Sequence, residues 1–398
     1  MRTLPFWLLS LISLCLAACT AVSPTTLPIP SPPPIPEAPT LTSPLPTSTP
    51  TLLQSPIPLI PASPSPASLS PVTPSPALPP PISLANAPAL LQAGEVQFRP
   101  YELVQAVAWS PDGEYLAASA GDHIYLYRTY TLEEQSSLET GALTHGLAFS
   151  PDSGQLAAGS RDGRLRVWDI STAAGELEPQ LTIEAHKKGV NCLAFSPDGH
   201  TLASGGNDAV VRLWNLETGE VLSTIIGGTY AVPGVAFQPG EPALALVNGE
   251  VIRFREVDSG RITGTLRADA WLYSLAFSPD GAMLAVGDSA NTIRVWQTAA
   301  AQGAMEHTSP DPAWMVGHAG RTGSAALIWS LAFSPDGGLL ASAGGDGTLR
   351  LWDAGRAELA VTLEGHPGGA TSLAFSPDGR FLASGGLDAA LRIWAAKP

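Results

Sequence analysis

The chain has 398 residues, 44% of them hydrophobic and 14% charged, with a net charge of −15 at neutral pH and three cysteines. Lys187-Lys188 is its one pair of adjacent lysines, so the clustered cations that bind nucleic acid or anionic lipid headgroups are not expected. No GxSxG, P-loop, HExxH, CxxC or EF-hand ligand series occurs, and the seven histidines are dispersed, so neither a cofactor nor a zinc site is expected.

The first segment reads as an address. Met1-Arg2 is a small positive region, Leu4 to Leu16 is apolar, and Leu16-Ala17-Ala18-Cys19 closes it, which is the layout of a secretion signal. The run is shorter than the ~20 apolar residues a membrane-spanning helix needs. Leu16 to Cys19 resembles the lipobox of bacterial lipoproteins. That resemblance implies cleavage before Cys19, lipidation of Cys19, and tethering of the exported chain to a membrane of the bacterial cell envelope, facing the periplasm or exterior. With Cys15 lost in the leader, Cys19 modified and Cys192 in an apolar strand, no disulfide framework remains.

From Ser23 to about Pro88 the chain is Pro, Ser, Thr, Leu and Ala, with Glu37 its one charge. Such a segment forms no core and favours extended polyproline II, rising about 3.1 Å per residue. The sequence thus divides into a signal peptide over 1–18, a Pro/Ser/Thr-rich linker or stalk over 19–90, and a folded domain over 91–398.

In that domain one phrase returns seven times: AVAWSPDG ending at Gly113, LAFSPDS at Ser153, LAFSPDG at Gly199, VAFQPG at Gly240, and LAFSPDG at Gly281, Gly337 and Gly379. A period of about forty residues belongs to propellers and solenoids. The third copy shows the unit. Asn191 to Phe195 is an apolar strand, Ser196-Pro197-Asp198-Gly199 is turn chemistry, Thr201 to Ser204 a second strand, Val210 to Trp214 an alternating third, and Val221 to Thr224 a fourth. Four antiparallel strands per repeat make a blade, and seven repeats predict an all-β, seven-bladed propeller.

The third-strand endings VRLWNLETG, LRVWDIST, IRVWQT, LRLWDAG and LRIWAA resemble the WD-repeat family over about residues 95 to 398. The resemblance implies a buried relay in each complete blade: His186, Ser204, Asp208 and Trp214; His318, Ser342, Asp346 and Trp352; His366, Ser384, Asp388 and Trp394. A Ser, His and Asp set that recurs blade after blade is structural, since a hydrolase uses one constellation with its nucleophile exposed. The other blades depart from the pattern: Tyr127 and Arg255 stand in the place of the Trp, Ala158 in that of the Ser and Ala290 in that of the Asp, and these blades are expected to be less rigid. The last unit stops one strand short, and the segment Glu95 to Arg99 is expected to pair beside Leu391 to Trp394 and close the ring.

Function is then left to surfaces. Read in register, the residues leading into the innermost strands are Gln105, His145, Asn191, Pro233, Tyr273, Trp329 and Thr371, a position that varies while its flanks repeat. With Trp271, Trp314 and Arg321 nearby, Tyr273 and Trp329 mark one sector as the candidate partner site, because aromatics anchor interfaces; the bland alternative is that the two rings plug the channel mouth. Arg161, Asn207, Gly345 and Leu387 precede the relay aspartates on the same face. Thr298 to Pro312 is an insertion, expected to be a flexible outer loop. The main reading is a non-enzymatic scaffold or sensor for an unidentified protein or peptide of the cell envelope, with no nucleic-acid partner. The other is a small-ligand receptor or hydrolase-like enzyme at the channel mouth; the fold does not separate the two.

Overall fold

The computed structural model describes residues 78–171, 177–304, 309–318 and 327–397. The leader, Cys19, the Pro-rich stretch as far as Ala77, and Arg321 lie outside the described residues.

Each SPDG turn ends one strand and starts the next through the same few bonds. In the third unit Ser196 Oγ donates to Asp198 Oδ1 (2.5 Å), the amide of His200 donates to that same oxygen (3.0 Å), and the amide of Thr201 donates to Ser196 Oγ (2.9 Å). The turn therefore supplies its own partners for backbone groups that neither strand can pair. Val190–Phe195, Thr201–Gly206, Val210–Asn215 and Val221–Ile226 follow as one antiparallel sheet.

Seven four-stranded sheets form in this way. The inner strands of blades 1 to 7 are Val104–Trp109, Thr144–Phe149, Val190–Phe195, Gly234–Phe237, Leu272–Phe277, Ile328–Phe333 and Ala370–Phe375. Each packs against the inner strand of the next blade, and the last packs against the first. Cores lie between blades. Ala157, Leu165 and Val167 of blade 2 meet Val190, Leu202 and Trp214 of blade 3 in one buried cluster, each large side chain contributing about 1.5–3 kcal/mol on burial. A blade accordingly has no complete core without its neighbours.

The ring closes where the sequence expects it to, with a longer strand. Leu90–Gln97 pairs antiparallel with Ala390–Ala396, placing Val96 opposite Leu391 and Glu95 opposite Arg392, whose guanidinium is 3.1 Å from the Glu95 carboxylate. Packed chain also begins before residue 91. Ile82 is buried, its amide donates to Gly379 O (2.7 Å), Arg380 Nη1 donates to Pro79 O (2.5 Å), and Ala87 is fully buried. Proline-rich composition hid this segment, although Ile82 and Ala87 bring it apolar anchors.

The insertion after blade 5's third strand is likewise more built than a flexible loop. Thr298–Ala301 is a helical turn, and beyond it the amide of Gly303 donates to Thr263 O and that of Thr265 to Ala304 O. These bonds cover the outer strand of blade 4, Ile262–Arg267, whose edge groups otherwise face water. Among the described residues no helix is long and apolar enough to cross a membrane.

Candidate functional site: the channel mouth and its supporting relays

The strand order fixes which loops share a face. Connections from one blade to the next and the turns between second and third strands lie on one side of the ring, around the mouth of the channel. The relays sit directly beneath these loops.

In blade 3, Trp214 Nε1 donates to Ser204 Oγ (2.8 Å), Ser204 Oγ lies 2.8 Å from His186 Nε2, and His186 Nδ1 lies 2.8 Å from Asp208 Oδ1. Blade 6 repeats this with Trp352, Ser342, His318 and Asp346 at 3.0, 2.8 and 3.1 Å. Blade 7 repeats it with Trp394, Ser384, His366 and Asp388 at 2.9, 2.8 and 2.9 Å. An imidazole carrying its proton on Nδ1 satisfies every member: it donates to the carboxylate and accepts from the serine, which accepts from the indole. Burial lowers the pKa of His186 and His318, against the pull of their aspartates. Burial alone raises an aspartate, but at Asp346 the His318 bond and the Thr348 amide outweigh it and bring the carboxyl to about 2. All three serines are fully buried, so these trios have no route to a substrate and anchor loops instead.

A fifth partner escaped the sequence reading, although its signal stands two residues before each Trp. Arg212 donates to Asp208 (3.0 Å) and Arg392 to Asp388 (2.6 Å), neutralising the outer oxygen of each carboxylate, while Arg350 donates to Gly317 O (2.9 Å). Gly206, Gly344 and Gly386 are also part of the relay, because a Cβ on any of them falls within 2.4 Å of the imidazole Nδ1.

Blades 4 and 5, which lack the complete relay, compensate at that glycine position. Blade 5 has Ala268 where the His stands, and Asp288 in the register position of Gly206; the carboxylate enters the space the ring leaves, accepts from the amides of Ala290 (2.7 Å) and Thr292 (2.9 Å), and pairs with Arg294. Losing the Asp at position 290 therefore does not leave that blade without a carboxylate. Its Trp296 finds Pro310 O (3.1 Å) in the insertion, since Val286 replaces the serine. In blade 4, Gly228 takes the His position and Asn248 fills the space, donating to Tyr230 O. Blade 2 lacks such a repair at one atom: with Ala158 in place of the serine, buried Trp168 Nε1 has no partner.

The mouth itself is built on bulges. In six blades the second residue of the inner strand is skipped in the pairing with the second strand, and those residues are Gln105, His145, Asn191, Tyr273, Trp329 and Thr371. A bulge re-aims one side chain out of the alternation, which is why this position varies while its flanks repeat. Pro233 immediately precedes the shorter inner strand of blade 4.

The aromatics do not gather as the sequence suggests. Trp271 stacks at a tilt on Tyr230, ring centroids 4.5 Å apart, and the two are 37% and 48% exposed. Tyr230, absent from the sequence candidates, comes from the preceding connection and packs over the Gly249 turn. Trp329 is half-buried against Gly369 and Leu387. Trp314 is not at the mouth: it opens blade 5's outer strand, paired with Val295 and leaning on the core shared with blade 6.

Blades 2 and 3 supply a polar sector. Asn191 Nδ2 donates to Asn207 Oδ1 (2.9 Å), Asn207 Nδ2 to Lys188 O (3.0 Å), and Gly189 passes against the backbone of Arg161. His145 is open to water at its surface yet set among neighbouring strands, and this desolvation, followed by the charge of Arg161, lowers its pKa. Among the described residues no three His, Cys, Asp or Glu converge on a metal position. Two grooves lie elsewhere: one of about 710 Å³ among the opposite-face turns of blades 2 and 3, including Asp152, Asp198 and His200, and one of about 740 Å³ beside the outer strand of blade 1.

Seven blades tied together between neighbours, with buried relays under a variable, loop-built mouth, define a repeat propeller whose working part is its surface. Six segments, 98–128, 135–169, 177–215, 260–297, 309–353 and 357–395, match the WD domain, G-beta repeat. They cover more than half of the chain, which belongs to this family, and such propellers typically act as protein-interaction scaffolds. The unmatched part, between 215 and 260, holds most of blade 4. Among similar proteins, "WD repeat-containing protein VIP3" of Arabidopsis thaliana is 29% identical over 150 residues, 37% of this chain and 46% of that protein. "WD repeat and SOCS box-containing protein 1" of Danio rerio is 38% identical over 77 residues, 19% of this chain and 18% of that protein. The chain thus spans less than half the length of these relatives.

Proposed function

We propose that this protein is a lipid-tethered interaction scaffold of the bacterial cell envelope that engages a protein or peptide partner through the channel-mouth face. The observation that carries the interaction reading is the Tyr230–Trp271 pair, two large rings stacked on each other yet left open to water beside the bulge residue Tyr273. Exposed aromatics held rigid by packing are the side chains from which interface hot spots are made. The tether and export rest on the sequence of residues 1–19, and both relatives named above are eukaryotic.

Two experiments test the two halves. A crosslinked pull-down compares wild type with Trp271→Ala/Trp329→Ala; a partner enriched by the wild type and lost from the variant is expected, and equal capture by both removes the mouth from the interaction. Metabolic labelling with a fatty acid is expected to mark the wild type and not Cys19→Ser, and membrane attachment that survives this substitution overturns the anchor.

A further inference from the structure

We infer that the mouth recognises an acidic peptide segment carrying an apolar residue beside its carboxylates, its acidic part lying on blades 2 and 3 and its apolar residue on the Tyr230–Trp271 pair. This rests on the mouth being the binding face and adds the chemistry of what it binds.

The argument is one of surplus charge. In a chain of net charge −15, blades 2 and 3 place Arg161, Lys187 and Lys188 on the mouth, all exposed. The carboxylates around them are already matched: Asp162 with Arg166 at 2.8 Å, Glu184 with Arg164 at 3.6 Å, and Asp208 with Arg212 at 3.0 Å. Arg161, Lys187 and Lys188 make no ion pair with any described residue, so this sector carries positive charge that nothing nearby neutralises. Unpaired cations on an otherwise acidic protein steer a negatively charged partner toward this sector.

The sector is also continuous with the aromatics. Lys188 is tied through its carbonyl to Asn207, Asn207 to Asn191, and Asn191 Nδ2 reaches Val232 O (3.3 Å), two residues beyond Tyr230. A band thus runs from Arg161 across the two asparagines to the Tyr230–Trp271 pair. Hydrogen-bonded asparagines fix its middle, so carboxylates at one end and an apolar side chain at the other are read in a single register. A nucleic-acid strand fits less well, since three cations supply little of the counterion release on which such binding depends.

The test is fluorescence anisotropy on the full chain with labelled Glu-Glu-Leu-Glu-Glu-Leu, the matching Lys-Lys-Leu-Lys-Lys-Leu, and single-stranded oligothymidine. The glutamate peptide is expected to bind, with affinity falling as salt rises. Arg161→Glu/Lys187→Glu/Lys188→Glu is expected to weaken it by about tenfold or more, the sum of three exposed charge contacts, and Trp271→Ala to weaken it as well. All four side chains are exposed, and an unchanged melting curve verifies that the variants fold. No binding of the glutamate peptide, equal binding of the lysine peptide, or oligothymidine held as tightly through the same three cations overturns the inference. The pull-down separates the two readings: a partner lost from Trp271→Ala/Trp329→Ala but kept by the charge-reversed variant removes the acidic segment and leaves the mouth, whereas a partner kept by both removes both.

Discussion

At the scale of single residues, one relay atom joins two buried groups, so its loss and its restoration have opposite signs. Ser342 Oγ serves both the Trp352 indole and the His318 ring. Ser342→Ala leaves two buried polar atoms unpaired and is expected to cost about 3 kcal/mol, at ~1–3 kcal/mol for each. Blade 2 presents the natural counterpart, with Ala158 beside an unpartnered Trp168 Nε1. Ala158→Ser gives that indole an acceptor and is expected to stabilise by about 1 kcal/mol. Urea midpoints of the two variants check both; a neutral Ser342→Ala makes the relay ornamental to stability. The same relays set a pH dependence. His186 and His318 have folded pKa values below the ordinary 6.5, so under acid the unfolded chain takes up protons that the folded chain refuses. Stability is full above pH 6.5 and falls as the pH drops through that value toward the lowered folded pKa values. Asp346, at about 2 against 3.8 unfolded, adds a second loss between those two values. Thermal melts across this range are expected to show both, with the first reduced in His318→Asn.

At the scale of elements, legibility followed how local the cause was. Turns and strands were readable because Ser, Pro, Asp and Gly act within four residues, and Ser196 with Asp198 does so in the structure. The His, Ser, Asp and Trp positions were readable through resemblance to a known repeat. The Asp288 repair was not, because its meaning depends on Ala268, twenty residues away in the chain and adjacent only in the fold. Tyr230 escaped for a related reason: its connection offers no register until Trp271 of the next blade is brought 4.5 Å from it. The Ala- and Gly-rich insertion looked like slack chain because small residues carry little pattern, yet it is smallness that lets Ala301 lie against Gly264, where a Cβ falls 2.1 Å from the Ala301 carbonyl oxygen. Gly264→Val is therefore expected to lift the insertion from blade 4's outer edge, and faster hydrogen exchange at Gly303 and Thr265 reports it; unchanged protection at those amides places the edge cover elsewhere.

At the scale of the molecule, the ring couples the two ends of the folded domain. Leu90–Gln97 and Ala390–Ala396 are separated by about 300 residues, and joining them costs on the order of 5 kcal/mol of chain entropy. Burial of Ile82, Ala87 and Leu90, with a ladder that covers the Ala390–Ala396 edge of blade 7, offsets that cost. Because every core is shared between neighbours, opening one junction also weakens the two blades beside it, and unfolding is expected to be a single transition rather than seven. Removing residues 78–97 exposes the Ala390–Ala396 edge, an apolar strand with Arg392 as its one charge, so the truncated chain is expected to lose its soluble monomer to edge-to-edge association. A synthetic peptide of the removed residues, added during refolding, is expected to restore the monomer by supplying the fourth strand from outside. Size-exclusion chromatography with light scattering reads both results. A truncated chain that stays monomeric and melts like the full protein shows that the ring is held by its inner strands alone, and the closing strand then has no part in stability.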